Sequence, residues 1–181
     1  MTLITYRQAN PSDADAIGRL HADSWRRHYR GAYSDAYLDG AADQERAAAW
    51  NSRLAEAGEH FTVVAERGGS LVGFSHTRLD DDPTWGALLD NLHVSYELKR
   101  GGVGRALMAE TATVLAERRI ASGLYLWVLR QNVAAQAFYR ALGGVCVEEA
   151  LHGPLPGGGR AWALRFVWPD PARLRSESPA T

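Results

Sequence analysis

The chain has one cysteine and no long apolar run, and both shortages exclude classes of protein. Cys146 alone cannot form an intramolecular disulfide, which argues against a disulfide-stapled secreted domain. Charged residues interrupt every apolar stretch well before the roughly 20 residues that a membrane-spanning helix needs. Met1 to Tyr6 runs straight into Arg7 without an apolar leader. The sequence therefore predicts a cytoplasmic protein with no membrane partner.

The charges of the chain are nearly balanced, with 20 basic and 21 acidic residues and a net charge of −1. A nucleic-acid-binding protein usually carries an excess of positive charge, so no nucleic-acid partner is expected. The composition, 46% hydrophobic and 23% charged, is typical of a globular domain. We predict one domain over residues 1–168, followed by a polar C-terminal tail over residues 169–181 that frays.

Hydrophobic periodicity and turn residues predict an α/β fold. Helices are expected at 14–29, in two pieces within 34–56, at 103–118 and at 132–142. Strands are expected at 2–7, 61–66, 71–79, 85–94, 124–129, 145–149 and 161–168. This order gives a mixed sheet of about seven strands flanked by helices, with no internal repeat.

A basic, glycine-rich turn joins the strand that ends at Val94 to the helix that begins at Val103. Unpaired backbone N–H groups converge at such a helix start, and glycines let an anion approach the backbone closely. The turn lacks both the Gly-Lys-Ser/Thr ending of nucleoside triphosphate loops and the G-x-G-x-x-G spacing of dinucleotide-binding folds. It therefore predicts an anion site, with a tight turn that simply needs glycine as the alternative.

Two motifs give the sequence a family resemblance. Lys99 to Gly104 resembles the Q/R-x-x-G-x-G/A motif of the GNAT superfamily of acyl-CoA-dependent N-acetyltransferases. Asn132 to Gly143 resembles the N-x-x-A-x-x-F-Y-x-x-x-G helix of the same family. Lys99 stands where Gln or Arg is usual, and Tyr96 replaces a frequent proline. The resemblance covers residues 1–168 and implies a GNAT-like, mostly antiparallel sheet of about seven strands with about four helices and a splay between the fourth and fifth strands.

The resemblance implies acetyl-CoA as a co-substrate and no metal. It would place the pantetheine arm along the backbone of Leu92 and Val94, with Asn132 and Tyr139 approaching the coenzyme from the following helix. Asn132 is also a good helix N-cap, and this alternative stays open. The residues that would hold the pyrophosphate are Lys99, Arg100, Gly101, Gly102, Val103, Gly104 and Arg105.

Acetyl transfer to an amine requires a proton for the departing thiolate and a neutral nucleophile. The resemblance assigns the proton to Tyr139, whose alternative role is that of a core aromatic. Leu88 occupies the position where many family members carry a catalytic glutamate, so the base must lie elsewhere. In a regular strand Leu88, Asp90, Leu92 and Val94 share one face, which makes Asp90 the first candidate. His93 lies on the opposite face unless a bulge turns it, and it is the second candidate.

The acceptor side is predicted at the first helix and its exit, where Trp25, Tyr29 and Tyr33 could surround an amine; Trp25 packing on the sheet is the alternative. The sequence favours a small-molecule amine because the chain has no extension to grip a polypeptide. The predicted activity is direct acetyl transfer in a ternary complex. A non-catalytic acyl-CoA-binding sensor on the same fold is the alternative. A homodimer through the sheet edge or the last strands also stays open.

Overall fold

A computed structural model describes residues 3–120, 122–155 and 157–175 of the chain. Seven strands in this part form one sheet in the order β1-β2-β3-β4-β5-β7-β6. They are β1 (Ile4–Gln8), β2 (His60–Arg67), β3 (Ser70–Asp82), β4 (Gly86–Val94), β5 (Leu124–Leu129), β6 (Val145–His152) and β7 (Ala161–Trp168). Neighbouring strands are antiparallel except β4 and β5, which are parallel. The predicted mixed, mostly antiparallel sheet is confirmed.

Five α-helices cover the two faces of the sheet within the described residues. They are α1 (Ala14–His28), α2 (Asp35–Asp39), α3 (Ala42–Ala55), α4 (Val103–Glu117) and α5 (Val133–Ala141). On one face α4 and α5 join the main core, in which Leu107 and Met108 are fully buried. On the other face Ile17 of α1 and Trp50 of α3 pack against Phe74 of β3. None of these helices is both long enough and apolar enough to cross a membrane.

The chain remains ordered beyond the last strand, contrary to the prediction that it frays from Pro169. A short 3-10 helix, Pro171–Arg175, follows β7. Its Leu174 is 5% exposed and belongs to the main core, where it packs beside α4 residues. One buried leucine within a polar stretch fixes this segment, and residues 176–181 lie outside the described part of the chain.

Strands β4 and β5 separate soon after they meet. Their pairing consists of Ala87 with Leu124 and Leu88 with Tyr125. Beyond these pairs β4 continues along β3, whereas β5 continues along β7. The predicted splay between the fourth and fifth strands is confirmed, and it opens a gap in the middle of the sheet.

Candidate active site

A β-bulge at Asp90 determines which side chains of β4 face which side of the sheet. Asn91 pairs with His76 and Leu89 pairs with the next residue of β3, Thr77, so Asp90 is the extra residue. The prediction that Leu88, Asp90, Leu92 and Val94 share one face is therefore wrong. Leu92 and Val94 pack against the main core under α4. Leu88, Asp90, Asn91 and His93 line a cavity on the side of α1 and α3.

The backbone of Leu92 and Val94 faces the gap between β4 and β5. The N–H of Ser95 donates to the carbonyl of Val72 on β3 at 2.8 Å. Residues along an antiparallel strand alternate in direction, so Val94 and Leu92 point their N–H and C=O groups away from β3. Past Leu88 no strand in the described ranges pairs with this side of β4. The gap therefore offers free strand backbone to an extended molecule.

The glycine-rich turn ends at the N-terminus of α4. Gly102 caps the helix with φ of +81°, and a Cβ built on it meets no heavy atom within 4 Å. The first backbone bond of the helix runs from the N–H of Ala106 to the carbonyl of Gly102, so the amides of Val103 and Gly104 precede the helical ladder. A Cβ on Gly104 would lie 3.3 Å from Phe138. Glycine at 104 lets α4 approach α5 closely, which brings the two sequence motifs into contact.

Basic side chains surround the same turn. Lys99 and Arg100 are exposed, and Arg105 is half-buried. The Nζ of Lys99 donates to the Nε2 of His28 at 2.5 Å, which connects the turn to the end of α1. Burial and the Lys99 cation lower the pKa of His28, so His28 adds no positive charge at neutral pH. The turn thus combines outward amides with cationic side chains, an arrangement suited to an anion.

The two predicted residues of α5 have different surroundings. The side-chain oxygen of Asn132 accepts from the N–H of Ala135 at 3.2 Å, which confirms its alternative role as the helix N-cap. Tyr139 is buried in the main core, and its ring lies 5.3 Å from Phe138 and 5.9 Å from Phe166 between centroids. Burial raises the pKa of the Tyr139 phenol, so it stays protonated at neutral pH.

The cavity beside β4 has a volume of about 440 Å³. The structure brings all three predicted acceptor-side aromatics into its wall: Trp25, Tyr29 and Tyr33. The rings of Tyr29 and Tyr33 are stacked with centroids 5.1 Å apart, and Trp25 meets Tyr33 edge to face at 5.0 Å. The other lining residues are His21, Arg46, Arg53, Leu88, Leu89, Asp90, Asn91, His93, Trp127, Leu129, His152, Leu155 and Ala163.

Both predicted bases line this cavity, in different environments. The Asp90 carboxylate accepts from the side-chain amide of Asn91 at 2.7 Å and lies 3.4 Å from Arg53. His93 is buried, and its Nδ1 lies 2.8 Å from the hydroxyl of Ser24. Burial lowers the pKa of His93 to about 3. His93 is therefore a neutral imidazole at neutral pH, whereas Asp90 lies in the wall with about a third of its side chain exposed.

Two charged residues of the cavity wall carry no functional signal in the sequence. Arg46 and Arg53 stand in an alanine-rich helix and resemble ordinary solvent-facing arginines. The seven-residue spacing of Arg46 and Arg53 places both on one helix face, and this is the single local clue. Among the described residues, no group of three or more His, Cys, Asp or Glu side chains could hold a metal ion.

Comparison with known proteins gives consistent matches. The model of the acetyltransferase (GNAT) family matches residues 22–143. A Bacillus subtilis protein, the uncharacterized N-acetyltransferase YuaI, is 29% identical over 177 residues, which cover 96% of this chain and 98% of that protein. The matched family segment includes both sequence motifs in full.

Solved structures share the fold at low sequence identity. PaiA N-acetyltransferase from Thermoplasma acidophilum, in complex with coenzyme A, has a TM-score of 0.68 and 18% identity and covers 92% of this chain and 99% of that one. Arabidopsis thaliana NAA60, in complex with acetyl-CoA, has a TM-score of 0.67 and 19% identity, and the match covers 92% of this chain and 98% of that one. The Escherichia coli ribosomal-protein-S18-alanine N-acetyltransferase has a TM-score of 0.65 and 21% identity, and the match covers 93% of this chain and 94% of that one.

Proposed function

The chain belongs to the acetyltransferase (GNAT) family of acyltransferases, and we propose that it transfers the acetyl group of acetyl-CoA to the primary amine of a small molecule. The reaction we propose is direct attack of the amine in a ternary complex. The observation that carries this proposal is the gap between β4 and β5. It adjoins the free strand backbone of Leu92 and Val94, and side chains of both strands that border it line the cavity.

The residues of the gap and the turn fit coenzyme A. The backbone of Leu92 and Val94 would hydrogen-bond the pantetheine arm as an added strand. The outward amides of Val103 and Gly104, with the partial positive charge of the α4 N-terminus, would bind the diphosphate. Lys99, Arg100, Gly101, Gly102 and Arg105 complete the proposed diphosphate site. Coenzyme A bound to PaiA and acetyl-CoA bound to NAA60, two proteins of this fold, support the assignment.

Tyr139 is the proposed proton donor to the leaving thiolate. An ordinary phenol has a pKa of about 10, close to that of an alkyl thiol. Burial raises the pKa of Tyr139, which keeps the proton on the phenol until negative charge develops on the sulfur. The same burial makes full transfer less favourable than the solution values imply. We therefore propose that the Tyr139 hydroxyl donates a strong hydrogen bond to the developing thiolate and transfers its proton to the sulfur as the thiol leaves.

Asp90 is the proposed acceptor of the amine proton. It lines the cavity, and its partly exposed carboxylate can pass a proton to solvent. His93 is the second candidate, because it is buried beside the hydroxyl of Ser24 and has less contact with solvent to which a proton could pass. Trp25, Tyr29 and Tyr33 are the proposed wall for the apolar body of the acceptor. The predicted cytoplasmic location and homodimer stay predictions.

The proposal is tested by calorimetric titration with acetyl-CoA and by thiol release with a panel of amines. Gly102→Glu places a carboxylate in the proposed diphosphate site, and we expect it to abolish binding. Gly102→Ala is the matched control, since it imposes the same left-handed backbone cost of about 1–2 kcal/mol without the charge. Equal affinity of the two variants, or no binding by the wild-type protein, would contradict the proposal.

A further inference from the structure

Two arginines of α3 give the acceptor cavity a positive charge. Arg46 and Arg53 both line it, and Asp90 is the single carboxylate among its described lining residues. The other titratable side chains of the wall are uncharged at neutral pH. Burial lowers the pKa values of its three histidines and raises those of its two tyrosines; they are His21, His93, His152, Tyr29 and Tyr33. Two cations therefore face one anion.

The single carboxylate of the wall, that of Asp90, forms an ion pair with Arg53 and not with Arg46. Asp90 lies 3.4 Å from the guanidinium of Arg53. No carboxylate in the described part of the chain forms an ion pair with Arg46, and its buried Nε has no hydrogen-bond partner there. The carboxylate of Glu45, next along the helix, instead accepts from the hydroxyl of Tyr37 at 2.8 Å. The hydroxyl of Tyr37 is a hydrogen-bond partner of Arg46, but it is neutral, so no anion in the described part of the chain neutralises the positive charge of Arg46.

The guanidinium of Arg46 is held in place by an aromatic ring. It lies 4.5 Å from the ring centroid of Trp25, in a cation–π contact. The cation over this ring is therefore supplied by the protein, and Trp25 is not free on that side to bind the ammonium of a substrate. A guanidinium stacked on an aromatic ring keeps the edge of its plane for a carboxylate, which it binds through two parallel hydrogen bonds.

We propose that the acceptor is a small amine that also carries a carboxylate, such as an amino acid, and that Arg46 binds this carboxylate. The inference rests on the proposed function, because it assumes that the amine reaches the gap between β4 and β5. The carboxylate then lies against α3, and the stacked rings of Tyr29 and Tyr33 contact the body of the molecule. A polyamine is disfavoured, since its second ammonium group would be repelled by Arg46.

The test compares each common amino acid with its C-terminal amide and its decarboxylated amine in a thiol-release assay. We expect the free acids to have a kcat/KM at least tenfold above those of the other two forms. Arg46→Gln should remove most of this preference through a higher KM, and Arg46→Lys should retain part of it because the charge remains. Arg19→Gln, at an exposed arginine of α1 outside the cavity, is the matched control and should change neither kcat/KM nor the preference for free acids.

Amides or simple amines that react as fast as the free acids would overturn the inference, and so would an Arg46→Gln variant that keeps the preference. The amide series also represents a peptide acceptor, whose chain continues beyond the first carbonyl.

Failure of every amine to react would contradict the proposed function instead. The carboxylate site is then tested separately, by titrating the protein loaded with coenzyme A with N-acetyl amino acids and with their amides. Binding that needs the carboxylate and is lost in Arg46→Gln supports the site, and equal binding of acids and amides overturns it.

Discussion

Acid should destabilise this protein at a pH where its carboxylates are still ionised, because it buries neutral histidines. Burial lowers the pKa values of His76 and His93 to about 3 each. His76 is 1% exposed, and its Nδ1 lies 2.8 Å from the hydroxyl of Thr62. In the unfolded chain each imidazole has its ordinary pKa of about 6.5. Between these two values the unfolded chain binds protons that the folded protein does not.

The sign and size of the effect follow from proton linkage. A depressed histidine pKa contributes no penalty above pH 6.5, and stability falls as the pH drops from 6.5 toward 3. At pH 5, protonation of each of these histidines stabilises the unfolded chain relative to the folded protein by about 2 kcal/mol, which makes about 4 kcal/mol for the two. His21, whose pKa is also lowered by burial, acts in the same direction. Domains of this size typically have a free energy of unfolding of about 5–15 kcal/mol, so the two histidines remove a large part of it at pH 5.

Urea unfolding at pH 8 and pH 5, followed by tryptophan fluorescence, measures this loss. We expect the free energy of unfolding to fall by at least about 4 kcal/mol between the two pH values while the urea m-value stays constant. His93→Gln and His76→Gln should each lower stability at pH 8 but reduce the pH-dependent loss by about 2 kcal/mol. Equal unfolding midpoints at pH 8 and pH 5, or glutamine variants with the full loss, would refute the reasoning.

Two further predictions concern α5 and the C-terminal segment. Tyr139→Phe should lower kcat by about 10²–10⁴-fold in the thiol-release assay with little change in urea midpoint, because the ring keeps its packing; an unchanged kcat would remove the hydroxyl from the mechanism. Leu174→Ala should lower the free energy of unfolding by about 2–5 kcal/mol in urea titrations. A loss below about 0.5 kcal/mol, the range of exposed sites, would contradict its place in the core.

The sequence predicts those parts of the fold that local patterns encode. The strand-turn-helix at Lys99 to Gly104 and the capped helix at Asn132 have side chains and spacings that specify them locally. Leu174 could not be assigned in this way, because its burial depends on a surface that α4 provides from elsewhere in the chain. Arg46 is a similar case: its helix position is predictable, but its stacking on Trp25 depends on how α1 and α3 pack together.

The bulge at Asp90 shows how much one register shift determines here. Without it, the side chains of Leu92 and Val94 would face the same cavity as Leu88, and His93 would lie under α4. With it, the apolar side chains of the strand pack in the core beside the glycine turn, while its polar side chains line the cavity under α1 and α3. A bulge arises from pairing between strands and leaves no mark in the alternation of a single strand, so the sequence could name Asp90 and His93 but could not place them on one wall.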